Sequence, residues 1–255
     1  MLWESIFGKS LAKLDFEAQV EEFIEWKQRQ NFKYKKLGAY IPSLLKTLDA
    51  SMWAGTVYMG KWQPMDVVFD TGSDWLMVES LECVNCEGRG NTTGEVYNTT
   101  KGAMISEPGS DMSQRFYGHA VMSGYEWEDT VCLLLTECVS SFQYFAIYAQ
   151  EGLVEPVDGV LGMARSKPFL NSDPDSTKSV GPLFVEAMAN EGIIDENTFS
   201  FYMNMAGESS YVDFGTPQES AMKDPDDLQY MYPNEDFFWS FTNSMAAFGT
   251  IDNAY

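Results

Sequence analysis

Fourteen residues, Met65-Asp66-Val67-Val68-Phe69-Asp70-Thr71-Gly72-Ser73-Asp74-Trp75-Leu76-Met77-Val78, limit the possible folds of this chain more than any other segment. Two apolar stretches rich in β-branched and aromatic residues flank a short polar turn, so each stretch is predicted to be a strand and the turn their corner. Gly72 permits a tight turn that aims backbone N–H groups at the Asp70 carboxylate, while Thr71 and Ser73 supply hydroxyls able to hold it. Such surroundings tune a carboxyl group for chemistry. A bare Asp-Thr-Gly is also an ordinary β-turn, so the rest of the chain must decide between the two.

The texture after residue 50 is short β-branched and aromatic runs separated by Gly, Asn, Asp and Pro, which predicts a mainly β body. Before it, Leu11, Leu14, Phe16, Val20, Phe23, Ile24 and Trp26 recur at three- and four-residue spacing among charges, which predicts an amphipathic helix over residues 11–30. Gly38 and Pro42 interrupt that pattern. A second helix is expected from Pro182 to Glu191, with Pro at its start and Gly192 just past its end. The polar stretch 171–180 reads as an exposed loop. Three segments follow: a partly helical leader over 1–50, a β lobe over 51–218, and the beginning of a further lobe over 219–255.

The 255 residues have a formal net charge of −22. Long-range repulsion therefore argues against nucleic acid or an anionic lipid surface as a partner. The charge is uneven: residues 1–50 hold eight Lys or Arg against seven Asp or Glu, so the acidity belongs to the body. A near-neutral, lysine-bearing leader before an acidic body suits an electrostatically docked prosegment. No apolar run approaches the roughly 18–20 residues of a membrane helix. The four cysteines form two tight pairs, Cys83 with Cys86 and Cys132 with Cys138, which favours two small disulfide loops. Cys83-x-x-Cys86 also has zinc-ligand spacing, but the second pair, inside an apolar run, does not. No metal or other cofactor is expected. Glycosylation sequons at Asn91 and Asn98 point to the secretory pathway, lysosome or vacuole, or the extracellular space. The residues after Met1 lack the apolar core of a signal peptide.

Asp70-Thr71-Gly72-Ser73, preceded by two apolar residues and followed by Leu76-Met77-Val78, resembles the first active-site loop of the pepsin-like aspartic proteases. Other stretches resemble that family in the same order. Residues 53–60 match its first strand and turn. Tyr117-Gly118-His119-Ala120 through Gly124, leading to Asp129-Thr130-Val131, matches its flap hairpin, with Tyr117 at the flap tyrosine. Asp158-Gly159-Val160-Leu161-Gly162 matches the apolar-apolar-glycine element that packs beside the active-site loop. Residues 181–184, 199–202, 211–215 and 238–241 continue the likeness.

The resemblance implies a pepsin-like lobe of curved β-sheets with a flap hairpin, and an endopeptidase acting on polypeptides. Two carboxyls a few ångströms apart share one proton, activate a water and stabilise the oxyanion. Asp70 is then one half of the pair, Thr71, Gly72 and Ser73 support it, and Tyr117 and Gly118 belong to the lid over the substrate. Asp158, Gly159, Leu161 and Gly162 pack the loop. Lys33, Lys35 and Lys36 either lie near Asp70, as zymogen lysines do, or form a solvated basic linker.

The chain departs from the pattern in several places. No second Asp-Thr-Gly or Asp-Ser-Gly triplet occurs in the sequence. The expectation is a truncated endopeptidase holding the first catalytic aspartate, or, alternatively, an inactive lobe that binds peptides or proteins. Another chain covering the incomplete second lobe is a further possible partner. Met77 replaces the usual tryptophan behind the flap tyrosine, with Trp75 two residues earlier as a partial substitute. His119 is expected to be a solvated hairpin residue. Asp213-Phe214-Gly215 has the letters of a kinase magnesium triplet without its accompanying motifs, and is expected to be a β-turn.

Overall fold

The computed structural model describes residues 41–47, 53–60, 62–86, 96–104, 112–117, 120–134, 136–152, 157–165, 181–203, 210–217, 222, 224–234 and 238–242. The chain divides into two units, residues 1–38 and 39–255. The leader helix expected over 11–30, Lys33, Lys35, Lys36, Asn91, Gly118, His119 and the loop expected over 171–180 lie outside the described residues.

The second unit is mainly β. Its strands are β1 (Ile41–Thr47), β2 (Trp53–Met59), β3 (Gln63–Asp70), β4 (Leu76–Val84), β5 (Ala103–Met104), β6 (Ser113–Tyr117), β7 (Ala120–Leu134), β8 (Glu137–Glu151), β9 (Gly159–Gly162), β10 (Phe199–Tyr202) and β11 (Ser210–Phe214). They hydrogen-bond in the order β10-β11-β1-β2-β3-β9-β4-β8-β7-β5, with β6 on β7. A further pairing of β2 with β7, through Tyr58 with Cys132 and Met59 with Val131, curls the sheet back on itself and shields both strands. Strand β1 lies within the segment assigned to the leader, and it pairs antiparallel with both β11 and β2.

The two apolar stretches of the 65–78 run become β3 and β4, yet they are not partners of each other. Strand β9 lies between them, parallel to β3 with Val67–Asp70 opposite Gly159–Gly162, and antiparallel to β4 with Leu76–Val78 opposite Leu161–Gly159. Gly159 and Gly162 make this possible. A Cβ on Gly159 would run into the Met77 main chain, and one on Gly162 into the main chains of Ser73 and Asp74. Buried polar bonds pin the same junction. The Asp66 N–H donates to Asp158 Oδ2 at 2.8 Å, and the Asp158 N–H donates to the Asp66 carbonyl at 2.7 Å.

Side chains alternate along β2 so that Val57 and Met59 enter the core, where they meet Met65, Val67 and Phe69 of β3 and Leu76 and Val78 of β4. Helix α1 (Phe184–Asn190) closes this core with Phe184, Val185 and Met188, and the Phe184 ring stands edge-on to Phe142 of β8 at 5.1 Å. Pro182 lies just before the helix. Gly192, at φ 70°, follows the C-cap, and the Ile193 N–H reaches back to the Met188 carbonyl at 2.9 Å, satisfying a carbonyl at the helix end. The expected turn at Asp213-Phe214-Gly215 is corrected: Asp213 and Phe214 complete β11, paired with Ser200 and Phe199 of β10, and the chain turns only at Gly215, φ 99°. The ladder and the burial of Phe214 hold these residues extended.

Candidate active site

Asp70 is the last residue of β3, where the chain leaves the sheet, and its side chain is half-buried. The Gly72 N–H donates to Asp70 Oδ1 at 2.9 Å, so the turn folds back onto the carboxylate. Thr71 and Gly72 are exposed, whereas Ser73, Asp74 and Trp75 turn inward. The end of β9 and the residues after it hold this loop through main-chain bonds. Gly162 N–H donates to the Trp75 carbonyl at 2.9 Å, Met163 N–H to the Asp70 carbonyl at 2.7 Å, and Ala164 N–H to the Ser73 carbonyl at 2.8 Å. The loop is thus braced on three carbonyls by one neighbouring segment, and Asp70 is left facing outward on a rigid base.

Tyr117 comes to the same place from the β6–β7 hairpin. It packs against a small cluster of Trp75, Met77, Ala120, Met122, Phe145, Ile147 and Val160. Burial pushes its phenol above the ordinary value; the Ser73 hydroxyl opposes the shift, and the carboxylates of Asp74 and Asp70 add to it. Trp75 and Met77 therefore share the apolar support behind Tyr117. Tyr117, distant in sequence, is brought to the loop of Asp70 and Ser73, and Gly159, Leu161 and Gly162 lie directly behind that loop in β9.

The cysteines pair as Cys83–Cys86 and Cys132–Cys138, the latter bridging opposed residues of β7 and β8. Thiols consumed in disulfides are not zinc ligands, so the zinc reading of Cys83 and Cys86 is set aside. Asn98, of the second sequon, is half-buried and caps a 3-10 turn over Thr99–Lys101, its Oδ1 accepting from the Thr100 N–H at 3.0 Å and from the Thr100 hydroxyl at 2.7 Å.

Two charged residues of the site escaped the sequence reading. Asp74 is buried, and its Oδ2 accepts the Gly181 N–H at 2.8 Å. Burial raises its carboxyl above the ordinary range, opposed by the Gly181 N–H and, more weakly, by the Arg115 cation. Arg115 is buried on the inner face of β6. Its place was readable in one way only: Arg115 and Tyr117 are two apart in a strand, so a Tyr117 turned toward the loop takes Arg115 with it.

The family model described as eukaryotic aspartyl protease matches residues 52–251. Among curated proteins, the chain is 31% identical over 185 residues to embryonic pepsinogen of Gallus gallus, a match covering 69% of this chain and 44% of that protein. It is 29% identical over 184 residues to cathepsin D of Chionodraco hamatus, covering 69% and 43% respectively. Against chymosin of Bos taurus it is 27% identical over 242 residues, covering 92% of this chain and 59% of chymosin. The chain spans less than half the length of the first two of these relatives. No helix among the described residues is long and apolar enough to cross a membrane.

Proposed function

The chain belongs to the eukaryotic aspartyl protease family, and on that premise we propose that it serves aspartic-type hydrolysis of peptide bonds in polypeptides, with Asp70 as one carboxyl of the catalytic pair. The observation that supports this most is the half-buried Asp70 carboxylate at a strand end, on a loop held by Gly72, Met163 and Ala164 N–H groups, with Tyr117 beside it. In this reading the ionised member of the pair takes a proton from a bound water. The water oxygen attacks the scissile carbonyl, and the protonated member hydrogen-bonds the developing oxyanion. The proton then passes to the leaving amine.

The sequence holds one Asp-Thr-Gly triplet, so in this reading the second carboxyl is supplied from outside residues 1–255. Exposed aromatic side chains at Tyr230 and Tyr232 support a covering surface there, and the Trp239 indole N–H already reaches the Met163 carbonyl behind the Asp70 loop at 2.9 Å. The disulfides and the Asn98 sequon support a secretory, lysosomal or extracellular setting. The single triplet also favours a second reading, an inactive lobe that binds peptide along the same surface.

Incubation of the chain, together with the lobe that supplies the second carboxyl, with denatured serum albumin at about pH 3–5 separates the two. Cleavage that falls by about 10²–10⁴-fold or more in Asp70→Asn, with the fold retained, supports the protease. Binding without cleavage, unaffected by Asp70→Asn, supports the binding module and overturns the first reading for this chain.

A further inference from the structure

Strand β6 has the sequence Ser113-Gln114-Arg115-Phe116-Tyr117, and its facing is unusual: Phe116 is 56% exposed while Arg115 is 5% exposed. Among the described residues β6 pairs only with β7, so its ladder holds it on one side. Something on its inner face must fix how it sits over the rest of the lobe. The residues on that face are Arg115, opposite the buried Met122, and Tyr117, opposite the buried Ala120.

The surroundings of Arg115 are specific. Its guanidinium carbon lies 4.9 Å from the centre of the Trp75 ring and 4.7 Å from that of Phe145, in the angle between two rings whose planes stand 65° apart. Its terminal nitrogens donate to Glu126 Oε1 of β7 at 3.0 Å and to the Gln114 carbonyl at 3.1 Å. Glu126 is held in turn by Gln143 of β8, whose amide donates to Oε2 at 2.8 Å. Trp75 is the residue that ends the Asp70 loop, and its own carbonyl is fixed by Gly162. One side chain thus ties β6 to β7, to β8 and to the active-site loop.

We propose that Arg115 is a positioning residue, which through its planar contacts with Trp75 and Phe145 fixes the β6–β7 hairpin and so sets where Tyr117 stands relative to the Asp70 loop. The inference deepens the proposed function and rests on it for the use to which Tyr117 is put. An ion pair alone is a poor reason to bury an arginine, since an apolar replacement is often no less stable. A flat cation between two rings restricts orientation as well as distance, which a point charge on a flexible stem does not. With Met77 behind Tyr117, this cation supplies a fixed anchor two residues from the tyrosine.

The test is hydrogen exchange on the full 255-residue chain, comparing wild type with Arg115→Lys, Arg115→Met and Phe145→Leu. A merely structural role lowers global stability and speeds the slowest amides of β3 and β9. A positioning role loosens the hairpin alone, because its amides exchange by local opening. The expected result is that amides of residues 113–117 and 120–124 exchange about thirty-fold faster in both Arg115 variants, the size of a desolvated cation–π contact. Amides of β3 and β9 stay within about two-fold of wild type. Lysine, which keeps the charge and lacks the plane, should not restore protection. Wild-type hairpin exchange in Arg115→Lys, or equal acceleration throughout the lobe, overturns the proposal. If Arg115→Met does not fold, Arg115→Lys and Phe145→Leu give the same decision. The readout involves no hydrolysis, so a chain that never cleaves peptide still tests it, and a failure here leaves the assignment of Asp70 standing.

Discussion

The side chain of Asp74 accepts a hydrogen bond from the main-chain N–H of Gly181 at 2.8 Å, joining residues 107 apart in sequence behind the Asp70 loop. Gly181 also lies flat against the Trp75 ring, where a Cβ would collide with it. The loop that presents Asp70 is therefore held from behind by a segment that begins helix α1, as well as by β9.

This bond has a pH dependence whose sign follows from burial. Desolvation raises the Asp74 carboxyl above its unfolded value of about 3.9. The folded state then binds the proton more tightly than the unfolded one, so the contribution of this group is fully present below the unfolded value and is lost as pH rises through the folded value. Asp74→Asn keeps an oxygen acceptor for Gly181 and cannot ionise. Its stability relative to wild type should increase from pH 3 to pH 7, read as denaturant midpoints at the two values. A difference that is flat or falls with pH would remove the desolvation argument.

Gly162→Ala should be among the most damaging small substitutions in the lobe. The added methyl meets the main chains of Ser73 and Asp74, which cannot move without breaking the bonds that fix the Asp70 loop. Overpacking of this kind costs about 1–3 kcal/mol, and more where only backbone can yield. Thermal unfolding should show the loss. Gly192→Ala is the contrast, since nothing lies within 4 Å of a Cβ there and the cost is that of a positive φ alone.

Asp158 acts through its acceptor. Asp158→Ala leaves the buried Asp66 N–H without the side-chain oxygen that it now meets, at a cost of about 1–3 kcal/mol. Asp158→Asn retains an oxygen and should lose less. Urea midpoints of the two variants at neutral pH order them; equal losses would mean that the charge, and not the acceptor, matters.

The Cys132–Cys138 bridge closes a loop of six residues' separation across the turn between β7 and β8. Chain entropy for so short a loop is worth about 2 kcal/mol, and the double Cys→Ala variant should lose about that much or less, because the ladder already constrains the turn. Guanidinium titration of the variant measures it.

Local sequence determined several parts of this protein. Apolar runs rich in β-branched and aromatic residues before and after a Gly-centred polar turn favour strands on either side of Asp70, and Pro182 with Gly192 bracket helix α1, since φ restrictions and the lack of a proline N–H act on near neighbours only. Strand pairing was decided elsewhere. Nothing within residues 65–78 says that its two strands are separated by β9, because that depends on Gly159 and Gly162 meeting backbone some ninety residues earlier. Likewise residue polarity alone does not show that within Ser113-Gln114-Arg115-Phe116-Tyr117 the arginine is buried and Phe116 exposed. A strand fixes only which residues share a face; which face is buried is chosen by what lies opposite, and Trp75, Phe145 and Glu126 reach Arg115 only once the sheet has closed.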